Sequence, residues 1–223
     1  MIKLIILVIL CITSFVSYSA EYKKVEKQYK GNVVKYYEDI SPRIIDTTFS
    51  LKDNQDTEVL YVFSYNCSIC YVFDDYVKEF EAFAKNNNIK FEKLPLYLDG
   101  EGIHKTSAET YFTRKFLNFN NDFDSIIFDL IHINNVSIKT NSDMRYLFIK
   151  YADVKEEIIN SNEYNYKIKY RLERTQSILN NLSIKTTPTL IVHKSGKRFM
   201  IDATTAETPE NLLFTLFAIM DLN

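Results

Sequence analysis

Cys67 and Cys70 stand two residues apart in the stretch Phe63-Ser64-Tyr65-Asn66-Cys67-Ser68-Ile69-Cys70. Thiols at this spacing can cycle between dithiol and disulfide, and the attacking species in that exchange is the thiolate. The apolar run Val59-Leu60-Tyr61-Val62-Phe63 precedes the pair. Behind it Phe73, Tyr76, Val77, Phe80, Phe83 and Ala84 recur at helical spacing. The pair is therefore expected where a buried strand turns into a helix. A thiol at a helix N-terminus gains from unpaired backbone N–H groups and the positive end of the helix dipole. Cys67 takes that position, with Cys70 a turn further in. Cys67 is the expected nucleophile, with a pKa below the free-thiol value of about 8.5, and Cys70 the resolving thiol.

Other uses of the motif fit less well. A zinc site needs two further ligands at suitable spacing. His104, His132 and His193 are scattered, and no two stand three to five residues apart. A disulfide closing so short a loop gains little stability through loop entropy, so a structural bridge explains the pair poorly. No metal and no cofactor is expected.

The 223 residues carry a formal net charge of −2, enough chain for one sizeable core or one domain with an insertion. Nothing in the balance suggests nucleic acid. The first residues differ from the rest: Lys3 is the early charge, Leu4 to Ile12 is unbroken apolar sequence, and Ser17-Tyr18-Ser19-Ala20 follows. This pattern reads as a secretory signal peptide over residues 1–19, cut after Ser19, and an uncleaved membrane anchor is the competing reading. Removal of the signal takes Cys11 with it and leaves Cys67 and Cys70 as the thiols of an exported chain.

Residues 20–43 are charged and tyrosine-rich, interrupted by Gly31, and read as a short helix or a loose N-terminal arm. Ile44 to Leu51 can form an edge strand, followed by a turn at Lys52 to Asp56. Glu58 to Phe63 lacks polar alternation and suits a strand covered on both faces. Ile89 to Leu98 reads as a further strand, limited by Pro95 to an edge-like role, before the turn Asp99-Gly100-Glu101-Gly102. Helical patterns then run over Ser107 to Leu117, Asp122 to Ile133, Asn141 to Ala152 (capped by Asn141 or Ser142), Asp153 to Ile159 and Glu163 to Leu182. Strand character resumes at Thr189 to His193, turns at Lys194-Ser195-Gly196-Lys197 and returns over Arg198 to Ala203. Thr208-Pro209 opens a last helix with an apolar face at Leu212, Leu213, Leu216, Phe217 and Met220.

A strand, a Cys-x-x-Cys helix, a second strand, a helical insertion, then Thr186-Thr187-Pro188-Thr189-Leu190-Ile191-Val192 before a hairpin and a final helix resembles the DsbA-type periplasmic disulfide oxidoreductases. The likeness spans roughly residues 57 to 223. It implies an α/β thioredoxin fold with an inserted all-helical domain: a first thioredoxin part over 44–103, the insertion over 104–181 and a second part over 182–223. It implies a cis bond before Pro188, with Thr187 and Pro188 meeting substrate beside the cysteines. By the same resemblance the protein would be exported, act on reduced or unfolded exported proteins, be recharged by a membrane-bound redox partner, and work as a monomer. Well-known members carry Pro-His between the cysteines, where Ser68-Ile69 stand here, and a buried acid six residues before the first cysteine, where Tyr61 stands. Their lysine on the second strand corresponds to Lys93. Ile69 cannot support a thiolate as histidine does, so a less oxidising pair is expected. Proton exchange with Cys70 is left to water, Lys93 or Glu92. Thr187 and the Ser68-Ile69 spelling keep isomerase and reductase open beside oxidase, with a non-catalytic binding protein as a further alternative.

Overall fold

The computed structural model describes residues 19–41, 57–98 and 102–221. The strand expected over residues 44–51, the turn at 52–56 and the turn residues 99–101 lie outside them. A six-stranded sheet is built around β3 (Thr57–Phe63), which has β4 (Lys90–Pro95) parallel on one side and β5 (Thr189–Lys194) antiparallel on the other. Val59, Tyr61 and Phe63 face one apolar cluster, shared with α1 (Ser68–Asn86) and α8 (Pro209–Met220). Leu60 and Val62 face another, shared with Ile178 and Leu179 of α6 (Asn162–Asn181). Successive side chains on a strand point to opposite faces, and here both faces are covered, so the run reads as unbroken apolar sequence. β4 forms one edge of the sheet and ends at Pro95, where a missing N–H is tolerated.

β5 turns through Ser195 (φ 50) and Gly196 (φ 75) into β6 (Lys197–Asp202), a two-residue hairpin turn that needs positive φ at both positions. β6 leads through the short α7 (Ala203–Ala206) to α8, whose N-cap Thr208 accepts from the Asn211 N–H, with Pro209 in the first turn.

Of the segment 20–43, the described residues 20–41 are neither helix nor loose arm. They form β1 (Tyr22–Tyr29) and β2 (Asn32–Asp39), an antiparallel hairpin turning at Lys30 (φ 47) and Gly31 (φ 84). β2 pairs with β6, which carries the sheet two strands further. The glycine that interrupts the segment is its turn. Val25 and Tyr29, four residues apart, lie on one face of a helix or of a strand alike. Val34 and Tyr36, two apart and both buried, carry the strand signal. A fully buried ion pair, Arg198 Nη1 to Asp39 Oδ2 at 3.0 Å, pins β2 to β6.

Between β4 and β5 the chain is helical: α2 (Ile103–Phe116), α3 (Asp122–His132), α4 (Asn141–Ala152), α5 (Glu156–Ile159) and α6. The N-cap of α4 is Thr140, not Asn141 or Ser142. Thr140 accepts from the Asp143 N–H, and Asp143 accepts in return from the Thr140 N–H, a reciprocal capping box.

Candidate active site

Cys67 is the N-cap residue of α1, in extended conformation (φ −90, ψ 112), and its Sγ accepts from the Cys70 N–H at 3.1 Å. Cys67 is part-exposed and Cys70 fully buried, and both thiols are free. The neighbouring Cys70 thiol, the Thr187 hydroxyl and the backbone N–H groups of Cys70 and Ile69 pull the Cys67 pKa down to about 6, against the cost of burial. Burial pushes the Cys70 thiol well above the ordinary value, and the charge on Cys67 pushes it further the same way. One sulfur is thus poised as a thiolate near neutral pH while the other keeps its proton.

The turn that presents Cys67 is fastened to the helical insertion. Ser107 of α2 accepts the Tyr65 N–H at 2.8 Å and the Ser64 hydroxyl at 3.1 Å. His132 of α3 donates to the Tyr65 carbonyl at 2.8 Å and stacks on Tyr71. The Tyr65 hydroxyl donates to Asp124. Asp124 is 1% exposed and is also met by Arg114 Nε at 2.7 Å and Lys93 Nζ at 3.1 Å. A buried carboxylate needs such compensation, because desolvation without it costs several kcal/mol.

Lys93 belongs to this assembly. Its ammonium is committed to Asp124, with Glu81 at 3.7 Å, and the structure shows it in no contact with either cysteine. Ser107, Arg114, Asp124 and His132 are site residues that sequence reasoning missed. A signal existed for two of them. Asp124 stands three residues before Ile127 and Arg114 three after Tyr111, each on the buried face of its helix.

On the other side of Cys67 lies the turn into β5. The Thr187–Pro188 peptide bond is cis. The Cys67 thiol donates to the Thr187 carbonyl at 3.6 Å. Ser68 and Ile69 are exposed, and with Val72, Pro188, Pro209 and Leu212 they line an apolar groove of about 270 Å³ beside the thiol. Ile69 and Val72 are 46% and 57% exposed, an uncommon outlay of apolar surface next to a reactive group. Tyr61 lies beneath the pair in β3, and burial holds its hydroxyl protonated. Among the described residues no group of three His, Cys, Asp or Glu side chains could hold a metal ion.

The arrangement has counterparts of known structure. No protein-family model matches the chain and no curated protein matches it by sequence. A Pseudomonas aeruginosa DsbA superposes with a TM-score of 0.64 at 23% identity, over 81% of this chain and 88% of that one. The oxidoreductase NmDsbA1 from N. meningitidis gives 0.60 at 17% identity, over 83% and 90%. A Proteus mirabilis DsbA carrying a non-covalently bound peptide, PWATCDS, gives 0.57 at 18% identity, over 92% and 96%. At such identities it is architecture that is shared. The chain has the fold of the DsbA oxidoreductases, a thioredoxin-like sheet with an inserted helical region and a Cys-x-x-Cys pair at the start of its first helix.

Proposed function

We propose that this protein is an exported thiol:disulfide oxidoreductase that introduces disulfides into secreted polypeptides through Cys67 and Cys70. The observation that carries the reading is the asymmetry of the pair. Cys67 is part-exposed at a helix N-terminus with a pKa near 6, and Cys70 is buried behind it with its proton retained. In the oxidised protein a substrate thiolate attacks Cys67. A substrate–Cys67 bond forms, the Cys67–Cys70 bond breaks, and Cys70 leaves with the electron pair. A second substrate thiolate then attacks the substrate sulfur of the mixed disulfide, and Cys67 leaves as a thiolate that is stable at neutral pH. The substrate loses two electrons, which the enzyme gains; Cys70 takes up one proton while Cys67 stays ionised, and the other proton remains in solvent. The apolar groove at Ile69, Val72 and Pro188 would take apolar side chains flanking the substrate cysteine, and the Thr187 carbonyl would accept a main-chain N–H from an extended segment. The peptide-bound Proteus mirabilis structure, whose ligand contains a cysteine, supports a polypeptide substrate.

Export through residues 1–19, a periplasmic or other extracytoplasmic location, monomeric action and recharging by a membrane-bound partner belong to the same proposal. Isomerase or reductase action with the same pair is the second reading, favoured by Ile69 where a cationic residue would raise the oxidising power. The test is to mix the oxidised protein anaerobically with a reduced dithiol peptide. Stoichiometric peptide oxidation, lost in Cys67→Ala with unchanged melting, is the expected result. A rate no faster than that of oxidised glutathione would leave a non-catalytic binding protein. Equilibration with glutathione then gives the direction, and a potential below those of the most oxidising Pro-His members is expected.

A further inference from the structure

We propose that Glu207 is a specificity-determining residue of the apolar groove, selecting polypeptides that carry a lysine or arginine within a few residues of the reacting cysteine. The inference rests on the function proposed above and names the class of substrate that the same groove takes.

Among the described residues that line the groove beside Cys67, Glu207 is the charged one; the others are apolar or carry hydroxyls. It stands at the end of α7, and its side chain is 63% exposed. Its backbone sits at φ 69 and ψ −38, and the Thr208 N–H donates to the Ala206 carbonyl at 2.8 Å. That is a γ-turn of the rare, strained hand, centred on Glu207. Glycine adopts such a conformation without steric cost, and glutamate does not. The carboxylate pairs with Lys35 of β2, Oε1 to Nζ at 2.8 Å, but exposed ion pairs add little to stability. Stability therefore does not account for a glutamate at this turn. A carboxylate in the groove beside a reactive thiol does.

The segments that line the groove bring acids and few bases. From Asp202 onward the sequence holds Asp202, Glu207, Glu210 and Asp221 and no lysine, arginine or histidine. Asp202 caps α7, and Glu210 accepts the Tyr76 hydroxyl at 2.7 Å. On α1 the first charges after Cys70 are Asp74 and Asp75, which share Lys78. Lys185, exposed three residues before Pro188, is not among the lining residues. Glu207 bonds Lys35 through Oε1, and a carboxylate can accept further donors at its other oxygen. A substrate ammonium or guanidinium can meet that oxygen while neighbouring side chains enter the apolar part of the groove. A substrate carboxylate at the same place is repelled, with no lining base to offset the repulsion. Rim charges of this kind act mainly on the rate of encounter and are screened by salt. Lys35 competes with the substrate cation for the same carboxylate, so the N-terminal hairpin tempers the preference.

The experiment mixes the oxidised protein, at low salt, with dithiol peptides that carry lysine or glutamate at successive positions on either side of the reacting cysteine. Each rate of disulfide opening is divided by the rate at which the same peptide reduces hydroxyethyl disulfide, a neutral reference that removes the effect of the charge on the peptide thiol itself. At one or more positions the lysine peptide is expected to react about threefold faster than the glutamate peptide, with the gap narrowing as salt is added. Glu207→Gln is expected to bring that ratio close to one. Lys35→Met, which strips a cation from the same carboxylate, is expected to enlarge it. Equal normalised rates at every position overturn the proposal, and so does a ratio that Glu207→Gln leaves unchanged. A ratio that falls in both variants marks the ion pair as a brace for the turn and overturns it as well. Failure of the wild-type protein to react with any of the peptides removes the proposed function and this inference with it, whereas a reaction indifferent to charge removes this inference alone.

Discussion

Two places in this molecule concentrate charge, and they handle it in opposite ways. At Asp124 the charge lies deep inside, and Arg114, Lys93 and the Tyr65 hydroxyl close around it. At Cys67 the charge sits at the surface end of a helix, held by the Cys70 thiol, the Thr187 hydroxyl and backbone N–H groups, and by no ion. A charge neutralised by ions in the interior is permanent and ties elements together. A charge held by dipoles at a helix end can be given up and restored, as disulfide chemistry requires. The two regions stand two residues apart in sequence, since Tyr65 serves one and Cys67 the other.

The largest effect is expected from breaking the permanent site. Asp124→Ala leaves Arg114 and Lys93 buried without their partner, and unfolding in urea should show a loss of about 3–5 kcal/mol. The Cys67 alkylation midpoint, read on the fraction still folded, should stay near 6, because none of the groups that set it is removed.

The labile site should show itself in the pH dependence of stability. Between about 6, its value in the folded protein, and about 8.5, its value when unfolded, Cys67 is ionised only in the folded chain. The unfolded chain then binds the extra proton, so the stability of the reduced protein rises with pH across this window and is lost as pH falls through 6. The gain is on the order of 3 kcal/mol. Cys70, raised by burial, acts in the opposite sense above about 8.5, and the curve should turn over there. Denaturant titrations of reduced protein at a series of pH values would test this, and Cys67→Ala should flatten the rise.

Cys70→Ala removes the largest of the influences lowering the Cys67 pKa. The alkylation midpoint should move up by about one unit or more. A midpoint still near 6 would assign the lowering to the helix end alone. The smallest effect is expected from Ile69→His. An exposed cation beside the thiolate should raise the reduction potential by about 10–20 mV, measured against glutathione.

The labile site was the more legible in the sequence, and the reason is physical. Cys67, Cys70, the strand before them and the helix behind them are neighbours in the chain, so spacing and periodicity carry them. Pro188 announces itself by its place before a β-rich run. The Asp124 site draws on residues 65, 93, 114 and 124, and its ion pairs form only when β4, α2 and α3 meet. Spacing puts Arg114 and Asp124 on buried helix faces without pairing them, and Asp124 in the first turn of α3 also looks like an ordinary partner for the helix dipole. The N-terminal hairpin failed for another cause. Its apolar residues are sparse, and β2 earns its place by pairing with β6, more than 150 residues away in the chain.

That hairpin also decides how the sheet ends. Lys23, Lys24, Glu26, Lys27 and Gln28 stud β1 with exposed polar groups, and the opposite flank, β4, stops at a proline. Both are devices that discourage a stray strand from adding to a sheet. On the function proposed above, the chain would meet such strands constantly, and guarded rims would keep them from adding to the sheet.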